Sequence, residues 1–157
     1  MKKYFSNLLP HLALVFVLFV SLAFFIPKLA SGRMPIPADS LIGLYHPFRD
    51  ISLDGFQAGK YPTKNPLITD PVLQTYPWKS LVIESIKKLD APLWNPYSFS
   101  GQPLLANVQS APFSIMNIFF LILPFNVGWT IQIVLSTLLT SLFMYLYLRE
   151  IKLSKSA

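Results

Sequence analysis

No cysteine occurs among the 157 residues, which excludes a disulfide framework, a thiolate metal site and a thiol nucleophile. The compartment must therefore be argued from topology. Charge is also scarce: Asp, Glu, Lys and Arg make up 13% of the chain against 53% hydrophobic residues, and the mean hydropathy is +0.49. A typical soluble domain carries about 25% charged residues, so water is not this chain's only solvent. The formal net charge of +6 forms no basic face interleaved with stacking aromatics, and nucleic acid is not an expected partner. Part of the positive excess lies at the two ends beside apolar runs, where it acts on membrane orientation.

Residues 12–26 (LALVFVLFVSLAFFI) are uncharged, and Leu8 and Leu9 lengthen the run. The expected transmembrane helix covers 8–26, close to the ~20 residues a crossing needs, with Pro10 and Pro27 bracketing it. Lys2 and Lys3 keep residues 1–7 in the cytoplasm by the positive-inside rule. A cleaved signal peptide has the same order of basic start, apolar core and small residues (Ala30, Ser31, Gly32); Lys28 and the later return of the chain to the membrane argue against it. A second transmembrane helix is expected over 128–148. There Gln132 is the one strongly polar side chain, and Trp129, Tyr145 and Tyr147 near the ends suit membrane interfaces. Arg149, Lys152 and Lys155 make 149–157 a cytoplasmic tail, so the number of crossings is even and two fit best. The piece 113–125, short and interrupted by Asn117 and Pro124, reads as an interfacial or re-entrant helix; a third full crossing would contradict the charge bias.

All of the 14 prolines except Pro10 and Pro124 fall in residues 27–112, the expected extracytoplasmic loop, where lost backbone donors favour irregular chain with short helices. One helix is legible at about 77–89. Trp78, Leu81, Val82, Ile86 and Leu89 form its apolar face, Lys79, Glu84, Lys87 and Lys88 much of the other, and Pro77 its first turn. Glu84 and Lys88 stand at i,i+4 spacing for an ion pair. Such a helix lies on a bilayer surface or packs against further protein. The expected fold class is thus a mainly α integral membrane protein, two transmembrane helices flanking a Pro-rich extracytoplasmic loop, in the inner (cytoplasmic) membrane with both termini inside.

Two loop phrases place a carboxylate six residues before a tyrosine: Asp39 before Tyr45, and Asp70 before Tyr76, Pro77 and Trp78. A carboxylate beyond a membrane helix can take a proton from an attacking hydroxyl or ligate a divalent cation. Both Asp residues also suit helix capping, Asp70 more so because Pro71 follows it. Arg49 can bind a lipid phosphate or pair with Asp50, Lys79 can touch phospholipid headgroups, and His46 is a lone metal-ligand candidate. Residues 92–110 (PLWNPYSFSGQPLLANVQS) read as a rigid turn system in which Trp94, Tyr97 and Phe99 pack their rings or, beside Asn95 and Gln102, stack on a sugar.

The phrase from Asp70 to Trp78, the run PLWNPYSFSGQPLLANVQSA, the short apolar piece ending Leu123-Pro124 and the closing FMYLYLREIKLSKSA resemble the N-terminal part of YfhO-like bacterial membrane proteins, over about Asp39 to the end. That family is similar to the GT-C superfamily of glycosyltransferases. The resemblance implies many membrane helices, an active site on the extracytoplasmic side and a polyprenyl-phosphate sugar as donor to a cell-envelope acceptor. Asp39 matches the location of the acidic residue that GT-C enzymes place after the first helix, while Asp70 belongs to the YfhO-like phrase through Gln74, Tyr76, Pro77 and Trp78. Either would act on the acceptor, with Arg49 or Lys79 near the donor phosphate, and Tyr76, Trp78, Trp94 and Asn95 binding substrate. Two spans alone cannot enclose a lipid-linked donor, so a truncated gene, a split subunit whose downstream helices are a separate chain, or a partial sequence is implied. A non-catalytic membrane scaffold or transport-associated protein is the rival reading.

Overall fold

The computed structural model describes residues 2–53 and 55–152, with side chains from Leu12 onward. Residues 153–157, most of the expected tail, lie outside the described residues, as do the side chains of Lys2, Lys3 and His11. The chain is mainly helical and divides into two compact units, one formed by Met1–Pro35 with Asn126–Ala157, the other by Ile36–Phe125.

In the first unit, helix α1 runs Lys2–Ala23, passing Pro10, and a short α2 covers Ile26–Ala30. The helix expected to reach residue 26 stops at Ala23 for a local reason: residue 27 should donate to the Ala23 carbonyl, and Pro27 has no N–H. Pro27 instead occupies the first turn of α2, where its missing donor costs nothing. Helix α6, Phe125–Glu150, is longer at both ends than expected. At about 1.5 Å per residue, its 26 residues are long and apolar enough to cross a membrane. Among the described residues no other helix meets both conditions, the described apolar part of α1 being Leu12–Ala23.

Four hydroxyls of α6 are satisfied within the helix. Thr130, Thr137, Thr140 and Ser141 each donate to the carbonyl four residues back, so these polar groups tolerate apolar surroundings. Ser21 does the same in α1 and also meets Ser141, Oγ to Oγ, at 2.6 Å. Two hydroxyl protons serve three contacts there, which couples the helices through one shared hydrogen bond. Trp129, near the start of α6, is packed against protein. It is 5% exposed, and its Nε1 donates to the Pro35 carbonyl.

The second unit contains α3 (Asp39–Leu44), a 3-10 turn at Phe48–Asp50, a π-turn at Pro71–Thr75, α4 (Tyr76–Lys87), the antiparallel pair β1 (Trp94–Asn95) and β2 (Gln102–Pro103), and α5 (Asn117–Ile122). Trp94 pairs with Pro103 and Asn95 with Gln102. Proline sets several boundaries. Pro77 cannot donate to the Leu73 carbonyl four residues back, and the preceding turn is widened, with Tyr76 N–H donating to the Pro71 carbonyl. Leu123, before Pro124, is extended and ends α5. This break separates the expected 113–125 piece from α6.

Helix α4 is rotated from the expected face. Lys79, Val82 and Ile83 are buried, an i, i+3, i+4 stripe that takes in a lysine. Leu89, counted on the apolar face, is 97% exposed. It lies beyond the helix at φ 57, where Leu89 N–H to Ile86 and Asp90 N–H to Ser85 close the C-terminus. Val82, Ile83, Leu104 and Phe120 supply the apolar core of this unit. Glu84 accepts from Ser80 rather than pairing with Lys88.

Opposite α3 lies the segment 61–64. The Asp39 carboxylate accepts from Lys64 N–H at 2.8 Å, and Gly43 faces Tyr61 and Thr63 so closely that a Cβ would collide with the Thr63 hydroxyl. Asp39→Ala is therefore expected to release this strap and speed tryptic cleavage after Lys64, whereas Asp39→Asn, which keeps an acceptor oxygen, is expected to protect the site as wild type does. Equal cleavage rates for all three chains would remove the strap.

Candidate functional site: an aromatic groove on helix α4

A groove of about 370 Å³ opens between the first two turns of α4 and the β1–β2 hairpin, lined by Tyr76, Pro77, Trp78, Ser80, Leu81, Asn95, Tyr97 and Ser98. The sequence places its walls. Pro77 in the first turn of α4 fixes the backbone from which Tyr76, Trp78 and Leu81 project, and Tyr76 is further held edge-on against Phe125 at 4.9 Å. On the facing wall Asn95, 1% exposed, organises the turn. Its Oδ1 accepts from Tyr97 N–H at 2.9 Å and its Nδ2 donates to Ser98 Oγ at 3.1 Å, an Asx-type turn with Pro96 at its centre.

The turn closes through the left-handed residues Phe99 (φ 50), Ser100 (φ 63) and Gly101 (φ 110). Gly101 lies under the Trp94 indole, and a Cβ there would meet ring atoms at 2.6 Å. Trp94 therefore braces the hairpin instead of lining the groove.

Three expected site residues thus converge: Tyr76, Trp78 and Asn95. The others do not join them. Asp39 is held by Lys64, and Arg49 lies 3.8 Å from Asp50, which also pairs with His46. Asp70, exposed, holds the expected N-cap position before the π-turn, with Pro71 next, but its side chain makes no cap hydrogen bond; Asp39 is not a cap, since Ala38 holds that position before α3. Asp70 lies on the same helical rod as Tyr76, six residues earlier, roughly 9 Å along the axis. Among the described residues no three His, Cys, Asp or Glu side chains gather as metal ligands.

Lys79 departs furthest from expectation, because it is 2% exposed and its ammonium is engaged inside the unit. Its Nζ donates to the Ala111 carbonyl at 3.1 Å and to Asn117 Oδ1 at 2.9 Å. The Asn117 amide in turn donates to the Ala111 and Pro112 carbonyls. Desolvation by burial lowers the lysine pKa from 10.5 to about 8. Lys79 is thus a strut joining α4 to the start of α5.

Ser80, Leu81 and Ser98 were not foreseen as groove residues. Leu81 was signalled by its i,i+3 spacing from Trp78 on one helix face, whereas nothing marked Ser80. Nothing local indicated that Ser98 would stand opposite. No family model, curated protein or solved structure matches this chain.

Proposed function

We propose that the chain is a membrane-embedded part of a glycosyltransferase-like protein, and that the groove on α4 holds the sugar of a polyprenyl-phosphate donor or the envelope acceptor on the outer side. In this reading α6 and the apolar stretch of α1 cross the membrane, both termini are cytoplasmic, and Ile36–Phe125 is the exported unit. The observation that carries it is the groove's composition: Tyr76, Trp78 and Tyr97 rings beside Ser80, Asn95 and Ser98. Ring faces stack on the C–H surface of a pyranose while hydroxyl and amide groups pair with its hydroxyls. Asp70 is the better base for the acceptor hydroxyl, since Asp39 already holds Lys64.

Titrating the chain in lipid nanodiscs with a short-chain polyprenyl-phosphate hexose tests the binding step. Trp78→Ala is expected to weaken binding about tenfold, equivalent to ~1.4 kcal/mol, and Leu67→Ala, outside the groove, to leave it unchanged. Equal affinities for wild type and Trp78→Ala would reject the groove as the site.

A further inference from the structure

The charges of this chain are distributed unevenly. Between residues 36 and 90 stand six acidic and six basic side chains, whereas residues 91–148 contain no Asp, Glu, Lys, Arg or His at all. Membrane crossing by α6 accounts for the second half of that run and not for the first, which builds the β1–β2 hairpin and α5. A water-facing surface typically carries about a quarter to a third of its residues charged. Here the outward side chains are apolar instead: Phe99 is 94% exposed, Val108 88%, Phe113 87% and Ile115 85%, and Ile118 and Ile122 on α5 are more than half exposed.

We infer that the charge-free half of the exported unit, residues 91–122, is seated in the interfacial layer of the bilayer, with Phe99, Phe113 and Ile115 dipping toward the acyl chains. The inference rests on the membrane reading of α6 given above. Three observations select lipid as the occupant. The charge-free run continues without interruption into α6, so the same solvent constraint acts on both. Its polar residues are Asn, Gln and Ser, and Trp94 and Tyr97 stand among them; amphipathic rings favour the headgroup level. The stretch itself supplies no charged residue of the kind that rims a protein–protein interface. The hairpin tip fits the same role, holding Phe99 and Ser100 at positive φ, conformations that L residues keep only when the surrounding structure imposes them. Seated in this way, the groove beside Tyr97 would open at the depth where the head of a lipid-linked ligand lies.

The absence of native cysteine makes each engineered thiol unique. Phe99→Cys, Phe113→Cys and Ile115→Cys, with Leu67→Cys and Phe143→Cys as references, would be labelled with a bimane fluorophore in the full chain reconstituted into phosphatidylcholine–phosphatidylglycerol vesicles. The first three and Leu67 are each at least 85% exposed, so replacement leaves packing intact. Labels at 99, 113 and 115 are expected to lose most of their emission to nitroxide-bearing lipid and little to aqueous iodide, with Leu67→Cys showing the opposite. Iodide quenching at 99, 113 and 115, or quenching there by neither agent, as when a protein covers the patch, would overturn the inference. Phe143→Cys separates the two levels. If it too escapes the lipid quencher, the membrane reading of α6 fails; if it alone is quenched, only the interfacial seating fails.

Discussion

Lys79→Glu is expected to unfold the Ile36–Phe125 unit. The substitution sets a carboxylate against the Ala111 carbonyl and Asn117 Oδ1, both acceptors, in a site where the native side chain is 2% exposed. A buried unpaired charge facing acceptors costs more than about 4 kcal/mol, a large share of a domain's total stability. Urea denaturation in detergent micelles, followed by tryptophan emission, reads the loss; a variant as resistant as wild type would mean that the ammonium faces water.

The wild-type pH profile gives an independent check. Burial lowers the lysine pKa from 10.5 to about 8, so between those values the unfolded chain binds more protons than the folded one, and stability rises with pH. The penalty is full below about pH 8 and is relieved as pH climbs toward 10.5, by at most about 3 kcal/mol. Lys79→Met, with nothing to titrate at this position, is expected to lose that rise, and an identical slope in both chains would place its origin elsewhere.

Gly101→Ala is expected to open the β1–β2 hairpin. At φ 110 an L residue is strained by roughly 1–3 kcal/mol, and the added Cβ would stand 2.6 Å from the Trp94 ring. Hydrogen exchange at Leu104, whose N–H donates to the Leu93 carbonyl at 2.9 Å, would accelerate by one to two orders of magnitude, the equivalent of about 2 kcal/mol. The two causes separate in a double-mutant cycle with Trp94→Ala. Removing the ring relieves the collision and leaves the backbone strain, so partial rescue is the expected outcome. Because Tyr97 and Ser98 line the groove, Gly101→Ala is also expected to weaken ligand binding there. Unchanged exchange at Leu104 would show that the turn accommodates a side chain.

Helix α4 shows how far the sequence could be read and where it misled. Its place, its proline-led start and its amphipathic character were legible from 3.6-residue spacing and the position of Pro77. Its inward face was not. Hydropathy alone assigns a lysine to the polar side, yet Lys79 is buried because Ala111 and Asn117, 32 and 38 residues away, supply acceptors. Asp39 repeats the lesson: a local pattern pointed to a cap or a base, and a backbone N–H 25 residues on claimed the carboxylate. The end of α1 shows the reverse, since Pro27, which cannot donate to the Ala23 carbonyl, was in the sequence where α1 gives way to α2.

Composition and order by themselves indicated that this chain is mainly helical, that the segment over 128–148 forms a helix apolar enough to cross a membrane, and that prolines punctuate the segment between its apolar ends. These properties depend on neighbours within one or two turns. Tertiary structure alone decided that Tyr76, Trp78, Asn95 and Ser98 share a groove while Asp39, Arg49 and Lys79 serve packing and pairing. The physical reason is that a polar side chain's role is set by which distant donor or acceptor reaches it first, and spacing along the chain carries no record of that choice.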